Sequence, residues 1–386
     1  MKNITEENVP ETFRNFQKDF TVYAPGRINL IGEHTDYNNG FVLPTAIDKT
    51  IKLHFRANNT PYTCSVYSKT YHKSFSFDLR KISRSDVDWE NYILGVVNEI
   101  QKLGEYPEGF DCIIESDLPV GAGISSSAAL ECGTAFGLNE LFHLDLSRQA
   151  IAELSRNAEH NYVGTKCGIM DQYASILSKE GHLILLDCRN LEATYIPADL
   201  EGHKLLLLNT GVSHSLASSE YNTRRKECEE AVKLISVAYP EVKSLRDVNL
   251  ERLYEVKDSL PEQLYRRAHY VVSENDRVLK AVEAIKQKDL EQFGLLMYDS
   301  HKGLRDKYQV SCKELDFLVE LTTDYSPVKG ARMMGGGFGG CTINLIEEKA
   351  LDEFIKIASE AYQKEFGITP EAIVVSPEQG TYLKKN

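Results

Sequence analysis

Apolar and polar residues alternate in short runs through the first third of the chain and recur at helical spacing through much of the rest. Val22–Ala24 and Ile28–Ile31 flank a Pro-Gly pair and read as strands. Phe41–Ile47 follows the turn-forming Asn38-Asn39-Gly40, and Ile51–Arg56 reads as the next strand. Ser65–Tyr67 and the alternating Phe75, Phe77 and Leu79 extend the sheet, and Asp111–Glu115 is a strand that ends ahead of Pro119. From Ser127 to about Phe142, Leu130, Phe136, Leu138 and Leu141 fall on one face and predict a helix. After Gly181 the pattern restarts, with strands over Leu183–Leu186, Leu205–Asn209 and Thr342–Ile346. Helices are predicted over Ser218–Ala238, Leu264–Ile285, Glu314–Thr323 and Ala350–Phe366. Strands and helices mix without a strict strand-helix-strand order, so the fold class is α+β.

A chain of 386 residues exceeds the usual domain of about 100–200 residues, and the pattern divides near residue 185 into domains of 1–185 and 186–386. The final strand of the second is free to pack back on the first. Hydrophobic residues at 42% and charged residues at 26% describe a folded chain rather than a disordered or collagen-like one. The 44 Lys and Arg against 57 Asp and Glu leave a formal charge of −13, which argues against a nucleic-acid partner. Apolar runs such as Leu205–Leu208 fall far short of the roughly 20 residues that span a membrane, and the N-terminus has no apolar signal core. Eight scattered cysteines, none in a CxxC pair, point to buried thiols in a reducing cytoplasm rather than to zinc or disulfides. No heptad seam is sustained, so coiled-coil assembly is not expected.

Four segments carry the chemistry. Pro119-Val-Gly-Ala-Gly-Ile-Ser-Ser-Ser-Ala128 joins a strand to a helix. Its glycines can turn N–H groups inward, the helix start adds a positive dipole end, and three serines supply hydroxyls. Phosphate cradle and ordinary serine N-cap both fit, but a P-loop is excluded because no Gly-Lys-Ser/Thr occurs. Met334-Gly-Gly-Gly-Phe-Gly-Gly340 formally contains GxGxxG. A dinucleotide site would need a helix after it, whereas Cys341–Ile346 reads as a strand. Ala24-Pro-Gly-Arg27 through Glu33-His34-Thr35-Asp36-Tyr37 is a polar loop after a strand, suited to a hydroxyl-rich ligand, to a weaker metal site, or merely to solvent. Cys167-Gly168-Ile-Met-Asp171-Gln172 follows a helical stretch carrying Glu159, and its aspartate gains interest only if folding brings it to the other three.

Taken in order, APGRINLIGEHTDYNNG, LPVGAGISSSAAL and GARMMGGGFGGCTINL resemble the motifs of the GHMP kinase superfamily, and GEHTDY with CGIMDQYAS is similar to its galactokinase branch. The match runs from about Thr21 to Ile346. The resemblance implies a two-domain α+β GHMP fold with its site in the cleft between domains, and transfer of the ATP γ-phosphoryl group to the C1 hydroxyl of D-galactose, the first committed step of galactose breakdown. It implies Asp171 as general base with Arg27 beside it, and Glu33, His34, Thr35, Asp36, Gly168 and Tyr221 (in SSEYNTRR) at the sugar. Gly121, Ala122, Gly123, Ile124, Ser125, Ser126 and Ser127 match the phosphate loop, Ser127 and Glu159 the Mg²⁺ ligands, and Ser68 and Trp89 the nucleotide side. The expected partners are D-galactose and MgATP, with no nucleic acid or membrane, for a cytoplasmic monomer or weak dimer. Alternatives are a kinase for N-acetylgalactosamine or arabinose, or a galactose- and ATP-binding sensor without turnover. Ile124 replaces a common Leu and Lys166 a common Pro, and neither change removes a donor or a carboxylate.

Overall fold

The computed structural model describes residues 9–119, 121–213 and 217–385. β1 (Phe20–Asn29), β2 (Phe41–Val42), β3 (Pro44–Ala57), β4 (Thr63–Ser68) and β5 (Lys73–Asp78) precede helix α1 (Asp88–Lys102). Then come β6 (Phe110–Ser116) and helices α2 (Ser126–Phe142), α3 (Arg148–Ala158) and α4 (Met170–Leu177). β7 (His182–Asp187), β8 (Glu192–Pro197) and β9 (His203–Ser213) lead to α5 (Ala217–Ala238), α6 (Leu250–Glu255), α7 (Glu262–Lys286), α8 (Leu290–Gly303) and α9 (Lys313–Thr323). β10 (Val328–Met333), β11 (Gly339–Glu347), α10 (Leu351–Phe366), β12 (Glu371–Val375), β13 (Pro377–Glu378) and β14 (Tyr382–Lys385) complete the chain.

The largest sheet runs β14-β1-β3-β6-β4-β5, with β13 also on β3; only the β4–β6 pair is parallel. β10-β11-β9-β12 form a second sheet and β2-β7-β8 a third. Residue 185 lies within β7, between β2 and β8, and β14, from the end of the chain, pairs with β1. One apolar cluster includes Val22, Leu53 and Phe55 together with Leu205, Phe293 and Ile343, so a shared core spans both halves.

Two predicted strand pairs are each one strand. β1 passes through Pro25-Gly26 with a register shift between Pro25 and Arg27. Such a bulge accommodates a proline, which has no N–H to give a ladder, and re-aims the residue beside it. Here the Arg27 N–H leaves the ladder and donates to Ile124 O (3.0 Å). β3 likewise runs unbroken through Asp48-Lys49-Thr50: β1 pairs with it on either side, at Ala46 and at Thr50, β13 holds Ala46 and Ile47, and β6 takes over from Ile51. The expected start at Phe41-Val42 is instead the separate β2, paired with β7. Helices α1, α4, α6 and α8 are not signalled by the pattern, and the strand after Gly335–Gly340 stands where it is expected.

α2 is buried on every side from Ala128 to Leu138, Glu131 included, rather than on the one face its spacing suggests, because it is sandwiched between the large sheet and its neighbours α1, α3 and α4. Gly137 makes the close approach to β3 possible: a Cβ there would stand 2.1 Å from Phe55 Cε2. Gly137→Ala is therefore expected to destabilise the protein by about 1–3 kcal/mol despite alanine's better helix propensity, since overpacking outweighs the propensity gain of up to ~1 kcal/mol. Denaturant unfolding of the two proteins measures the sign directly. Among the described residues no helix is long and apolar enough to cross a membrane.

Candidate active site

Folding brings the four segments together around one cavity of about 320 Å³, lined by Arg27, Glu33, His34, Asp36, the 121–127 loop, Glu159, Gly168, Asp171, Tyr221 and Gly335-Gly336. Val120 of the serine loop lies outside the described residues.

At the cavity's centre is an ion pair. Arg27, re-aimed by the β1 bulge, donates Nε to Asp171 Oδ1 (2.7 Å), Nη2 to Asp171 Oδ2 (3.1 Å) and Nη1 to Gly123 O (2.7 Å). Burial would pull this guanidinium down, but the charges of Asp171, Glu33 and Asp36 outweigh it and hold Arg27 above its ordinary value. Asp171, in the first turn of α4, also accepts from Ser125 Oγ (2.5 Å) and remains 27% exposed, while Arg27 is 5% exposed. The carboxylate thus faces the cavity and the arginine stands behind it.

Gly121 (φ 76°), Gly123 (φ 69°) and Ser125 (φ 59°) all have left-handed backbone. Ser125 occupies the N-cap position of α2 but makes no side-chain cap; its hydroxyl is spent on Asp171. The first N–H groups of α2 have no side-chain cap, and no acid occupies its first turn. That arrangement favours an anion at the helix start.

The polar loop supplies the opposite wall. Glu33 is buried, accepts the Gly335 N–H (2.8 Å) and pairs with Arg332 (3.1 Å). His34 adopts φ 62° and is held by Gly336 O at Nε2 (3.2 Å) and the Tyr37 hydroxyl at Nδ1 (2.8 Å). A carbonyl can only accept, so Nε2 carries the proton. Burial, reinforced by the charges of Arg224 and Arg332, pushes His34 down to about 3, leaving a neutral ring beside Tyr221. Asp36 is pushed up to about 7 by burial and then by the charge of Asp171. Its carboxylate fits only because position 168 is glycine: a Cβ there would stand 1.7 Å from Asp36 Oδ2. Thr35 points elsewhere. Its hydroxyl is buried within the loop, against Gly32 O (2.8 Å) and Phe41 O (2.6 Å), and it is not among the cavity residues.

Glu159 opens a single π-type turn that continues α3, an irregularity often found at functional sites. Gln172 Nε2 donates to it (3.0 Å), Ser127 Oγ stands 3.5 Å away, and burial followed by the charge of Asp171 pushes it up to about 7. Ser68 and Trp89 line a second cavity of about 250 Å³ that shares Tyr92, Ser126 and Ser127 with the first. The Trp89 ring stacks on Tyr71 (centroids 5.9 Å apart), and its indole N–H has no partner among the described residues.

The sequence pattern does not single out Tyr92 or the role of Gln172, whereas the close backbone approach expected of the glycine run is made by Gly335 and Gly336 to Glu33 and His34. Tyr92 follows Trp89 by three residues, so recognising α1 would have put both on one helix face.

Family models match the GHMP kinases N terminal domain at residues 91–179, the galactokinase galactose-binding signature at residues 11–56 and the GHMP kinases C terminal domain at residues 281–364. A galactokinase of Thermosipho africanus is 41% identical over 349 residues, which is 90% of this chain and 95% of that protein. The chain belongs to the galactokinase family. It is a sugar kinase, a phosphotransferase that takes a nucleotide as co-substrate. A crystal structure of Lactococcus lactis galactokinase complexed with galactose superposes with a TM-score of 0.93 at 33% identity, covering 98% of each chain. The Methanococcus jannaschii mevalonate kinase, 20% identical with a TM-score of 0.64 over 95% of this chain and all of that one, shares the fold alone.

Proposed function

We propose that the chain transfers the γ-phosphoryl group of ATP to the C1 hydroxyl of D-galactose, giving galactose 1-phosphate and ADP. The observation that carries this reading is the Arg27–Asp171–Ser125 cluster, where the uncapped start of α2 meets the polar loop. Each carboxylate oxygen offers two lone pairs. Among the described residues, Asp171 Oδ2 is filled by Arg27 and Ser125, whereas Oδ1 takes only Arg27 Nε. The remaining Oδ1 lone pair accepts the sugar C1–OH proton as the oxygen attacks phosphorus. Phosphoryl transfer passes through a loose transition state in which positioning and charge dominate, and Arg27 offsets the charge that spreads over the transferred group.

Glu33, His34, Asp36, Gly168 and Tyr221 form the sugar wall; Thr35 acts by holding the loop's shape. Gly121 to Ser127 cradle the phosphates with backbone N–H groups and hydroxyls, and Ser68 and Trp89 belong to the nucleotide side. Ser127 and Glu159 suit Mg²⁺, which commonly uses only one or two protein ligands and fills the rest from phosphate oxygens and water. Consistent with that sparse set, no cluster of three metal-ligating acids, histidines or cysteines occurs among the described residues. Bound there, the ion would neutralise phosphate charge. All eight cysteines are free thiols, which suits a reducing cytoplasm.

The direct test is ADP release with galactose, N-acetylgalactosamine, arabinose and glucose, followed by identification of the phosphorylated carbon. Galactose should give the highest kcat/KM and a 1-phosphate; preference for another sugar overturns the substrate assignment. A pH dependence follows from Asp36. Below its value of about 7 the free protein holds it as a neutral acid, and sugar hydroxyls bind best to the carboxylate. Galactose binding should therefore release a proton and tighten as pH rises from about 6 to about 7, by at most about ten-fold per unit, levelling above about 8. His34 stays neutral across that range. Calorimetric titrations across it should show the rise for the native protein and a flat profile for Asp36→Asn.

A further inference from the structure

Both ends of the loop that carries Glu33, His34 and Asp36 are tied to α7. At its start the Gly32 N–H donates to Glu274 Oε1 (3.0 Å), and at its end the Phe41 N–H donates to Asn275 Oδ1 (2.9 Å). One turn earlier on α7, the Tyr270 hydroxyl donates to the Glu33 carbonyl (3.0 Å). Positions 270 and 274 share a helix face by their spacing of four, and Asn275 lies about a quarter-turn further round. Glu274 is completely buried; its Oε1 also accepts from Ser300 Oγ (2.6 Å), and its Oε2 pairs with Arg277. The loop's end closes tightly on the helix: a Cβ on Gly40 would stand 2.3 Å from Asn275 Oδ1.

We propose that Glu274 and Asn275 are positioning residues for the sugar. They touch no substrate; they fix the two ends of the loop so that its carboxylates face the cavity before ligand arrives. Such preorganisation lowers the cost of ordering a site on binding, so its loss appears as weaker affinity for whatever the loop contacts. The phosphate loop is carried instead by the start of α2. The clamp should therefore act on the sugar and spare the nucleotide. The inference deepens the sugar-kinase reading and rests on it.

Asn275→Ala removes the acceptor of the Phe41 N–H. Asn275→Asp keeps an acceptor oxygen in the same place, and the Asn275 Nδ2 it replaces has no partner among the described residues. In the full-length protein, Asn275→Ala should weaken galactose Kd by about ten-fold or more, the size expected for leaving a donor unpaired. ATP affinity should stay unchanged, kcat at saturating galactose should fall less than kcat/KM, and Asn275→Asp should restore binding. Amide hydrogen exchange over residues 32–41 should quicken in Asn275→Ala alone. The proposal is overturned by native galactose affinity in Asn275→Ala, by equal weakening of both ligands, by failure of Asn275→Asp to rescue, or by unchanged exchange in the loop. Failure of the native protein to bind galactose would instead strike the functional reading, and the exchange measurement would still judge the clamp.

Discussion

Asp171→Asn should lose at least ~100-fold in kcat while galactose and ATP still bind, the lower end of what general-base assistance typically supplies. The substitution is chosen for what it preserves. Asn keeps the side chain's shape and one carbonyl oxygen, which can still accept Arg27 Nε in place of Oδ1. Alanine would leave the buried guanidinium without even that acceptor, and breaking such a pair outright typically costs 3–5 kcal/mol, enough to confuse lost chemistry with lost folding. In the asparagine protein, thermal unfolding and calorimetric sugar binding report the scaffold while steady-state ADP release reports the chemistry. Turnover close to native, in a protein that binds both ligands, would remove Asp171 from proton transfer and leave it the lesser task of orienting the hydroxyl.

The polar loop, the serine loop and the glycine run were legible because their residue types are costly to place anywhere else. Clustered Arg, Glu, His and Asp around Arg27–Asp36, and glycines with left-handed backbone at 121 and 123, are hard to explain as core. What stayed hidden depends on partners far along the chain. Thr35 sits inside the motif, yet its hydroxyl serves the loop's own carbonyls, and no local pattern separates a polar residue facing inward from its neighbours facing the cavity. Glu274 and Asn275 lie in a helix that periodicity identifies, but their partners are more than 200 residues away in sequence. Gln172, which bridges Glu159 and Glu131, looks like any buried amide until α2, α3 and α4 are packed together. Among the elements, β1 read as two strands because Pro-Gly signals a break, and tertiary pairing to β3 and β14 overrode the local signal.

Gly168→Ala is expected to cost about 100-fold in kcat/KM for galactose, the scale of an ångström-sized misplacement in an active site. The added methyl would overlap the Asp36 carboxylate, with Cγ only 2.0 Å and Oδ2 1.7 Å from the new carbon. One of two things must yield. Asp36 is short, and its Oδ1 already accepts the Tyr37 N–H (2.9 Å), so rotation breaks that bond and withdraws the carboxylate from the sugar wall. If the backbone of residues 167–170 recoils instead, it carries Asp171, three residues on, away from Arg27. The two outcomes separate kinetically. Rotation of Asp36 raises KM for galactose and flattens the pH dependence of binding, with kcat largely kept; recoil of the backbone lowers kcat with the pH dependence intact. Nucleotide affinity should persist where Asp36 alone rotates, whereas recoil also draws Asp171 away from Ser125 Oγ (2.5 Å) in the phosphate loop. A Gly168→Ala protein with native kcat/KM would show that the Asp36 carboxylate has room to spare, and that its closeness to residue 168 has no part in holding the sugar.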